Sequence, residues 1–159
     1  MNNKTLLLIV AAILLLVGIF KPSLSVVPST PSVPSVNVVA PSDPEMKEAC
    51  SEVISILQKG KSSDALRLSS LYMDIATLIE LDGENEVIKT TEDIRQANSL
   101  SGLLLKLDIK GKYPNLAVAA KKVIVTGIGD DDVSLDPELR KKANESFRAL
   151  AWACKEGSK

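Results

Sequence analysis

Apolar residues recur every three to four positions through most of residues 44–159, the spacing that puts them on one face of an α-helix. No segment alternates apolar and polar residues for long, and Val123-Ile124-Val125 is too short to indicate a sheet. The pattern predicts an all-α fold, with a compact bundle of about five helices over residues 44–159. The predicted core positions are Met46, Cys50, Val53, Leu57, Ala65, Leu68, Leu71, Tyr72, Ile75, Leu78, Ile79, Ile94, Ala97, Leu100, Leu103, Leu104, Leu116, Ala120, Val123, Ile124, Leu139, Ala143, Phe147, Leu150 and Cys154.

Local signals mark where these helices begin and end. Asp43-Pro44 and Asp136-Pro137 each place an N-cap carboxylate before a proline at the first helical position, so they begin the first and last helices. The other signals, in chain order, are a Ser62/Ser63 cap, a stop at Asp82-Gly83, a loose capping box Thr90-Thr91-Glu92-Asp93, a stop before Gly111, a start at Tyr113-Pro114-Asn115 and a stop by Gly127-Ile128-Gly129.

A different pattern occupies the start of the chain, where residues 5–20 form an uncharged, largely apolar run between Lys4 and Lys21. A helix over residues 6–20 would span roughly 23 Å, short of the ~30 Å hydrocarbon core, and the two lysines can reach the interfaces. We predict that residues 1–21 are a membrane anchor that contacts the lipid bilayer through residues 5–20. A cleaved secretory signal is the alternative, because Ser23-Leu24-Ser25 supplies small residues before a cleavage after Ser25.

Residues 22–43 contain five Pro, six Ser and six Val, and Asp43 is their only charged residue. Such a segment favours an extended, polyproline-like tether, roughly 70 Å long at most. Its two PxxP motifs could dock on an SH3-like groove, but they follow from the composition of a stalk. The lysines slightly favour a single-pass topology with a cytoplasmic N-terminus and a periplasmic or extracellular C-terminal domain. The opposite orientation, with a cytoplasmic head, is the alternative.

The composition narrows the chemistry of the head. The chain has no histidine, which removes the commonest general base and the commonest zinc ligand. The net charge is −1 and no long basic run occurs, so we expect no nucleic-acid partner. Aromatic residues make up 3% of the chain, fewer than a base-stacking platform would need. We therefore predict no catalytic, cofactor-binding or metal-binding residues and a protein that is not an enzyme.

The two cysteines, Cys50 and Cys154, lie on the apolar stripes of the first and last helices. Outside the cytoplasm a disulfide between them would join the two ends of the head, and we predict that bond. Two buried free thiols that pack as small apolar side chains are the alternative.

An acidic segment, Asp130-Asp131-Asp132-Val133-Ser134-Leu135-Asp136, has oxygen ligands at alternate positions, as a calcium loop would. However, Leu135 stands where an EF-hand loop requires glycine, and Asp136 is already explained as a helix cap. We expect a solvated acidic loop.

Four carboxylates, Glu80, Asp82, Glu84 and Glu86, surround the predicted end of the second helix. Paired carboxylates can hydrolyse glycosides when one is held protonated and the other ionised, so a cell-wall-active enzyme is conceivable. Acidic residues near a turn are more often simply solvated.

Three further motifs receive no functional role. The sequon Asn144-Glu145-Ser146 falls within a predicted helix, and the serines at positions 69, 70, 99 and 101 have no base nearby in sequence. The basic residues at 121–122 and 140–142 are expected to form solvated helix faces.

These observations favour a single-pass membrane-anchored protein whose stalked helical head binds another protein or scaffolds an assembly in a cell envelope or virion membrane. The alternatives are a cell-wall-active hydrolase and a secreted helical inhibitor released by signal cleavage.

Overall fold

The computed structural model describes residues 38–82, 87–109 and 112–159, and for residues 103–109 it describes the backbone alone. This part of the chain contains five helices and no β-strand, which confirms the all-α prediction. The predicted anchor and residues 22–37 of the predicted stalk lie outside the described residues. The helices are α1 (Pro44–Gln58), α2 (Ser62–Leu81), α3 (Thr91–Ile109), α4 (Leu116–Ile128) and α5 (Pro137–Gly157). None of the described helices combines the length and apolar character needed to cross a membrane.

Side-chain caps begin three helices where the sequence predicts them. Asp43 and Asp136 each accept a hydrogen bond from a backbone amide of the first turn, at 2.9 and 2.7 Å. At the start of α3, the Asp93 amide donates to Thr90 Oγ1 at 3.3 Å and the Thr90 amide donates to Asp93 Oδ2 at 2.9 Å. These reciprocal bonds form the predicted capping box. Helix α4 ends at Ile128, and the next residue, Gly129, has a φ of 80°, which suits glycine.

The start of α2 differs from the prediction. Lys61, in extended backbone, is the residue that precedes the helix, and its side chain makes no capping bond. Ser62 is already the first helical residue, so the predicted serine cap does not form.

Helix α5 is the central element of the described bundle, because α1, α2 and α4 all pack against it. It carries alanine at positions 143, 149, 151 and 153, which are all buried and let neighbouring backbones approach closely. Ser69 of α2 donates to the Ala151 carbonyl at 2.7 Å, and Asn144 donates to the Ala76 carbonyl at 2.6 Å. These two contacts run in opposite directions along the helices, so α2 lies antiparallel to α5.

Helix α1 runs parallel to α5. Cys50 contacts the Ala149 carbonyl, and farther along both helices Gly157 lies against Leu57. Helix α3 packs on α2 and α4.

The described core matches the predicted apolar stripes closely. Of the predicted core positions whose side chains are described, all but Leu71, Leu78, Leu100 and Leu139 are buried, and those four are partly buried. The side chains of Leu103 and Leu104 lie outside the described set.

The predicted disulfide between Cys50 and Cys154 was wrong, because both residues are free thiols in the structure. Each is 0% exposed and fills the core as a small apolar side chain. The Cys50 thiol donates a weak hydrogen bond to the Ala149 carbonyl, with 3.6 Å between sulfur and oxygen. Burial raises the pKa of Cys50 to about 12 and raises the pKa of Cys154 as well, so both stay protonated at neutral pH.

Candidate functional site

The carboxylates at the end of α2 hold the chain that follows them. Asp82 accepts hydrogen bonds from the amides of Val87 and Ile88, at 3.3 and 2.7 Å, and its Oδ2 lies 3.7 Å from Arg140 NH1. Glu80 forms an ion pair of 3.0 Å with Arg148. Glu84 and Glu86 lie outside the described residues. Because Glu80 and Asp82 pair with arginines of α5, these two carboxylates hold the end of α2 against α5.

Arg140 departs from the expectation of a solvated basic face. Its side chain is 17% exposed, and NH2 donates to the Ile88 carbonyl at 2.8 Å. The neighbouring lysines at 121, 122, 141 and 142 are exposed, as expected. Arg140 thus ties the start of α5 to the segment between α2 and α3.

The acidic loop at 130–136 is exposed over Asp130, Asp131 and Asp132, which fits the expectation of a solvated loop. It also pairs with the segment before α3: the Thr91 amide donates to the Val133 carbonyl at 3.0 Å. Thr91 Oγ1 donates to the Asp131 carbonyl at 2.6 Å and accepts from the Val133 amide at 3.1 Å. Among the described residues, no group of three or more metal-ligating side chains could hold an ion.

A buried polar cluster joins the α1–α2 turn to the segment before α4. Asp64 is 7% exposed, and its Oδ2 accepts from Tyr113 at 3.1 Å and lies 3.2 Å from Lys112 Nζ. The Tyr113 hydroxyl also accepts a hydrogen bond from the Lys61 amide at 3.0 Å. No local pattern in the sequence predicts this cluster, because Asp64 resembles an ordinary acidic residue in the first turn of a helix.

Two of the four serines, and the sequon, have structural roles, while Ser70 and Ser99 are exposed. Ser69 and Ser101 donate to backbone carbonyls, the latter to that of Asn98 at 2.8 Å. Within the sequon, the Asn144 amide is engaged with α2 and Ser146 is fully buried. The folded head therefore does not present Asn144 as a glycosylation site.

A groove of about 430 Å³ lies where the described chain begins. Met46 and Ala149 are buried at its apolar floor, and Gly127 lets α4 approach α5 so closely that a Cβ there would overlap the Ser146 hydroxyl. Its other lining residues are Val39, Ala40, Pro41, Ser42, Asp43, Thr126, Lys142, Glu145 and Arg148. The groove falls in the size range of ligand pockets, with charges of both signs on its rim.

The charged residues on this rim already have partners. Lys142 lies 3.5 Å from Glu138, and Glu145 lies 3.9 Å from Lys141. Arg148 bonds both Glu80 and Asn144, at 3.0 and 2.8 Å. The charged side chains on the rim are therefore engaged in contacts within the described bundle.

Comparison with known proteins adds no assignment: no family model, curated protein or solved structure matches the chain significantly.

Proposed function

We propose that this chain is a single-pass membrane-anchored protein whose stalked helical head binds or scaffolds other proteins in a cell envelope or virion membrane. The observation that carries the proposal is the order of its parts: an apolar run at 5–20, a Pro-rich segment at 22–43, and a compact unit at 38–159 that overlaps its end. A tether of this composition holds a folded head away from a bilayer.

The roles of the two described carboxylates, Glu80 and Asp82, support binding over cell-wall hydrolysis. A glycoside hydrolase needs one carboxyl that keeps its proton and a second that stays available to the substrate. Asp82 is committed to two backbone amides and to Arg140, and Glu80 is paired with Arg148. Structural contacts therefore account for the positions of both carboxylates.

The anchor is tested by fractionation and intact mass of the natively expressed protein. We expect the full-length mass in the membrane fraction, resistant to carbonate extraction, and release into the soluble fraction when residues 5–20 are deleted. Loss of about 25 N-terminal residues would instead identify a cleaved signal, as expected of a secreted inhibitor.

The orientation is tested with a single exposed cysteine. Cys50 and Cys154 are buried, so Lys47→Cys on the exposed side of α1 introduces a reactive thiol against an inert background. We expect a membrane-impermeant maleimide to label this variant on intact cells or particles, with the unsubstituted chain as the unlabelled control. Labelling that requires permeabilisation would place the head on the cytoplasmic side and contradict the proposal.

The binding role is tested by photocrosslinking from exposed positions on different faces: Lys47 on α1, Ser63 on α2, Lys122 on α4 and Glu145 in the groove. We expect a single crosslinked product mass. It should form only at probe positions that lie close together on the surface, and an excess of chain without the photoprobe should reduce its yield. Absence of a saturable adduct at all four positions would contradict a binding head.

The hydrolase alternative is tested on purified cell walls. We expect the full-length chain to release no soluble fragments. Release that is lost in Glu80→Gln or Asp82→Asn, with the helical content unchanged, would overturn the binding role.

A further inference from the structure

We propose that the described first half of α3, residues 91–102, is a cover that opens locally from α2 and α4 while the rest of the head stays folded. Its buried side chains are Thr91, Ile94, Ala97, Asn98 and Ser101, and three of these five are polar. By contrast, the buried side chains of α1 are all apolar: Met46, Ala49, Cys50, Val53 and Leu57. This inference does not depend on the membrane anchor or on a partner.

A polar buried face holds a helix weakly. Burial of apolar surface contributes about 25 cal/mol per Å², and this term is small for alanine, serine and asparagine. The buried hydrogen bonds of α3 add little net free energy, because water replaces them when the helix opens. Ile94 is the one large apolar side chain among the buried residues of this segment.

The burial of Arg95 also favours the opening of α3. Its side chain is 10% exposed, and Nε bonds Glu92 at 3.0 Å. Its NH1 atom is buried and makes no hydrogen bond within the described part of the chain. Desolvation of a cationic donor without a partner is costly, and opening would return NH1 to water.

The surface beneath the cover is held independently of it. Tyr72 of α2 donates to Asn98 of α3 at 3.0 Å, but its ring also packs on Phe147 of α5, with 5.9 Å between ring centroids. Helix α2 is further bonded to α5 through Ser69 and Asn144, and α4 lies against α5 at Gly127. Removal of α3 therefore leaves α2 and α4 each packed on α5.

The start of α3 is held by hydrogen bonds that join the buried Thr91 and Lys89 to the 130–136 loop, whose aspartates are exposed. Thr91 bonds the 130–136 loop through its amide and its hydroxyl, and the Leu135 amide donates to the Lys89 carbonyl at 2.8 Å. Such bonds exchange readily for bonds to water. They give the cover a defined closed position at a small cost for release.

Hydrogen exchange of the full-length chain in a mild detergent tests the opening without a mutation. We expect amides of residues 94–101 to exchange at least about tenfold faster than buried amides of α5, since local openings cost less than global unfolding. Equal protection of α3 and α5 would overturn the proposal.

An engineered crosslink tests whether the motion separates α3 from α4. A Cβ at Gly102 would lie 3.5 Å from the Ala117 Cβ, which matches the Cβ–Cβ separation in disulfides. We expect oxidised G102C/A117C to slow exchange of residues 94–101 toward the α5 rate, and reduction to restore the faster rate. The two single variants are the matched controls. An oxidised variant that exchanges as fast as its reduced form would contradict the proposal.

Discussion

Tyr113 illustrates how one side chain can connect parts of the chain that are far apart in sequence. Its hydroxyl donates to Asp64 and accepts from the Lys61 amide, and its ring occupies the space beside Gly60, where a Cβ would overlap it. Asp64 is almost fully buried, so its charge depends on Tyr113 and Lys112 in place of water. The glycine, the tyrosine and the aspartate therefore form one structural unit.

We expect Tyr113→Phe to lower the free energy of unfolding by about 1–3 kcal/mol, because it leaves the Lys61 amide and part of the Asp64 carboxylate without a partner. The measurement is urea denaturation of the full-length chain in mild detergent, followed by circular dichroism. Ser55→Ala, at an exposed position of α1, is the control and should shift stability by less than about 0.5 kcal/mol. Equal midpoints for the two variants would count against a stabilising role for the cluster.

Substitution by alanine is expected to have opposite effects on stability at Gly157 and at Gly102. A Cβ at Gly157 would lie 2.7 Å from the Leu57 Cβ and 3.3 Å from the Ile54 carbonyl oxygen, so α1 and α5 would have to separate. We expect Gly157→Ala to cost about 1–3 kcal/mol through overpacking. Gly102→Ala meets only an ordinary contact and should gain about 0.5–1 kcal/mol from helix propensity. The measurement is thermal or urea unfolding. Midpoints that shift in the same direction for both variants would contradict the prediction.

At the scale of single elements, the sequence predicts what is local. An N-cap acts on amides within its own first turn, so Asp43, Asp136 and the Thr90–Asp93 box can be recognised without knowledge of the fold. The apolar stripes are equally local, because helical periodicity alone defines a buried face.

What the sequence could not predict depends on distant partners. Thr91 has the local pattern of a first-turn residue of α3, yet its hydroxyl bonds Asp131 and Val133, about forty positions away. Arg140 sits in a run of basic residues, yet it pairs with Asp82. No local pattern distinguishes these residues from exposed ones, which is also why no candidate groove could be assigned before the helices were placed.

We expect Thr91→Val to loosen the attachment of the 130–136 loop and to cost about 1–3 kcal/mol, since the isosteric change removes a buried hydroxyl with two backbone partners. The measurement is urea unfolding together with hydrogen exchange of the Val133 and Leu135 amides. Thr77→Val is the matched control, because Thr77 is exposed and bonds only the Met73 carbonyl of its own helix. An equal effect in both variants would assign the loss to helix propensity instead.

On the scale of the whole described head, three neutral acids share the core. Burial raises the pKa of the Cys50 and Cys154 thiols, and it raises that of the Tyr72 phenol. Each group remains protonated in the folded head at a pH where it would ionise in the unfolded chain. These buried thiols and the buried phenol therefore make the stability of the folded head depend on pH.

Above the pKa of an exposed thiol, about 8.5, the unfolded chain binds fewer protons than the folded one, so the free energy of unfolding falls as pH rises. We expect the stability that the Cys50 thiol contributes to be complete below this pH and to be lost as pH approaches about 12, its folded pKa. The contribution of Cys154, whose pKa is also raised by burial, should fall in the same direction. Urea midpoints measured from pH 7 to pH 11 under reducing conditions test this. The control is the chain with both Cys50→Ala and Cys154→Ala, which loses packing at every pH but should show a shallower alkaline decline, with Tyr72 supplying the remainder. An unchanged decline in that double variant would mean that the thiols are not responsible for the alkaline sensitivity.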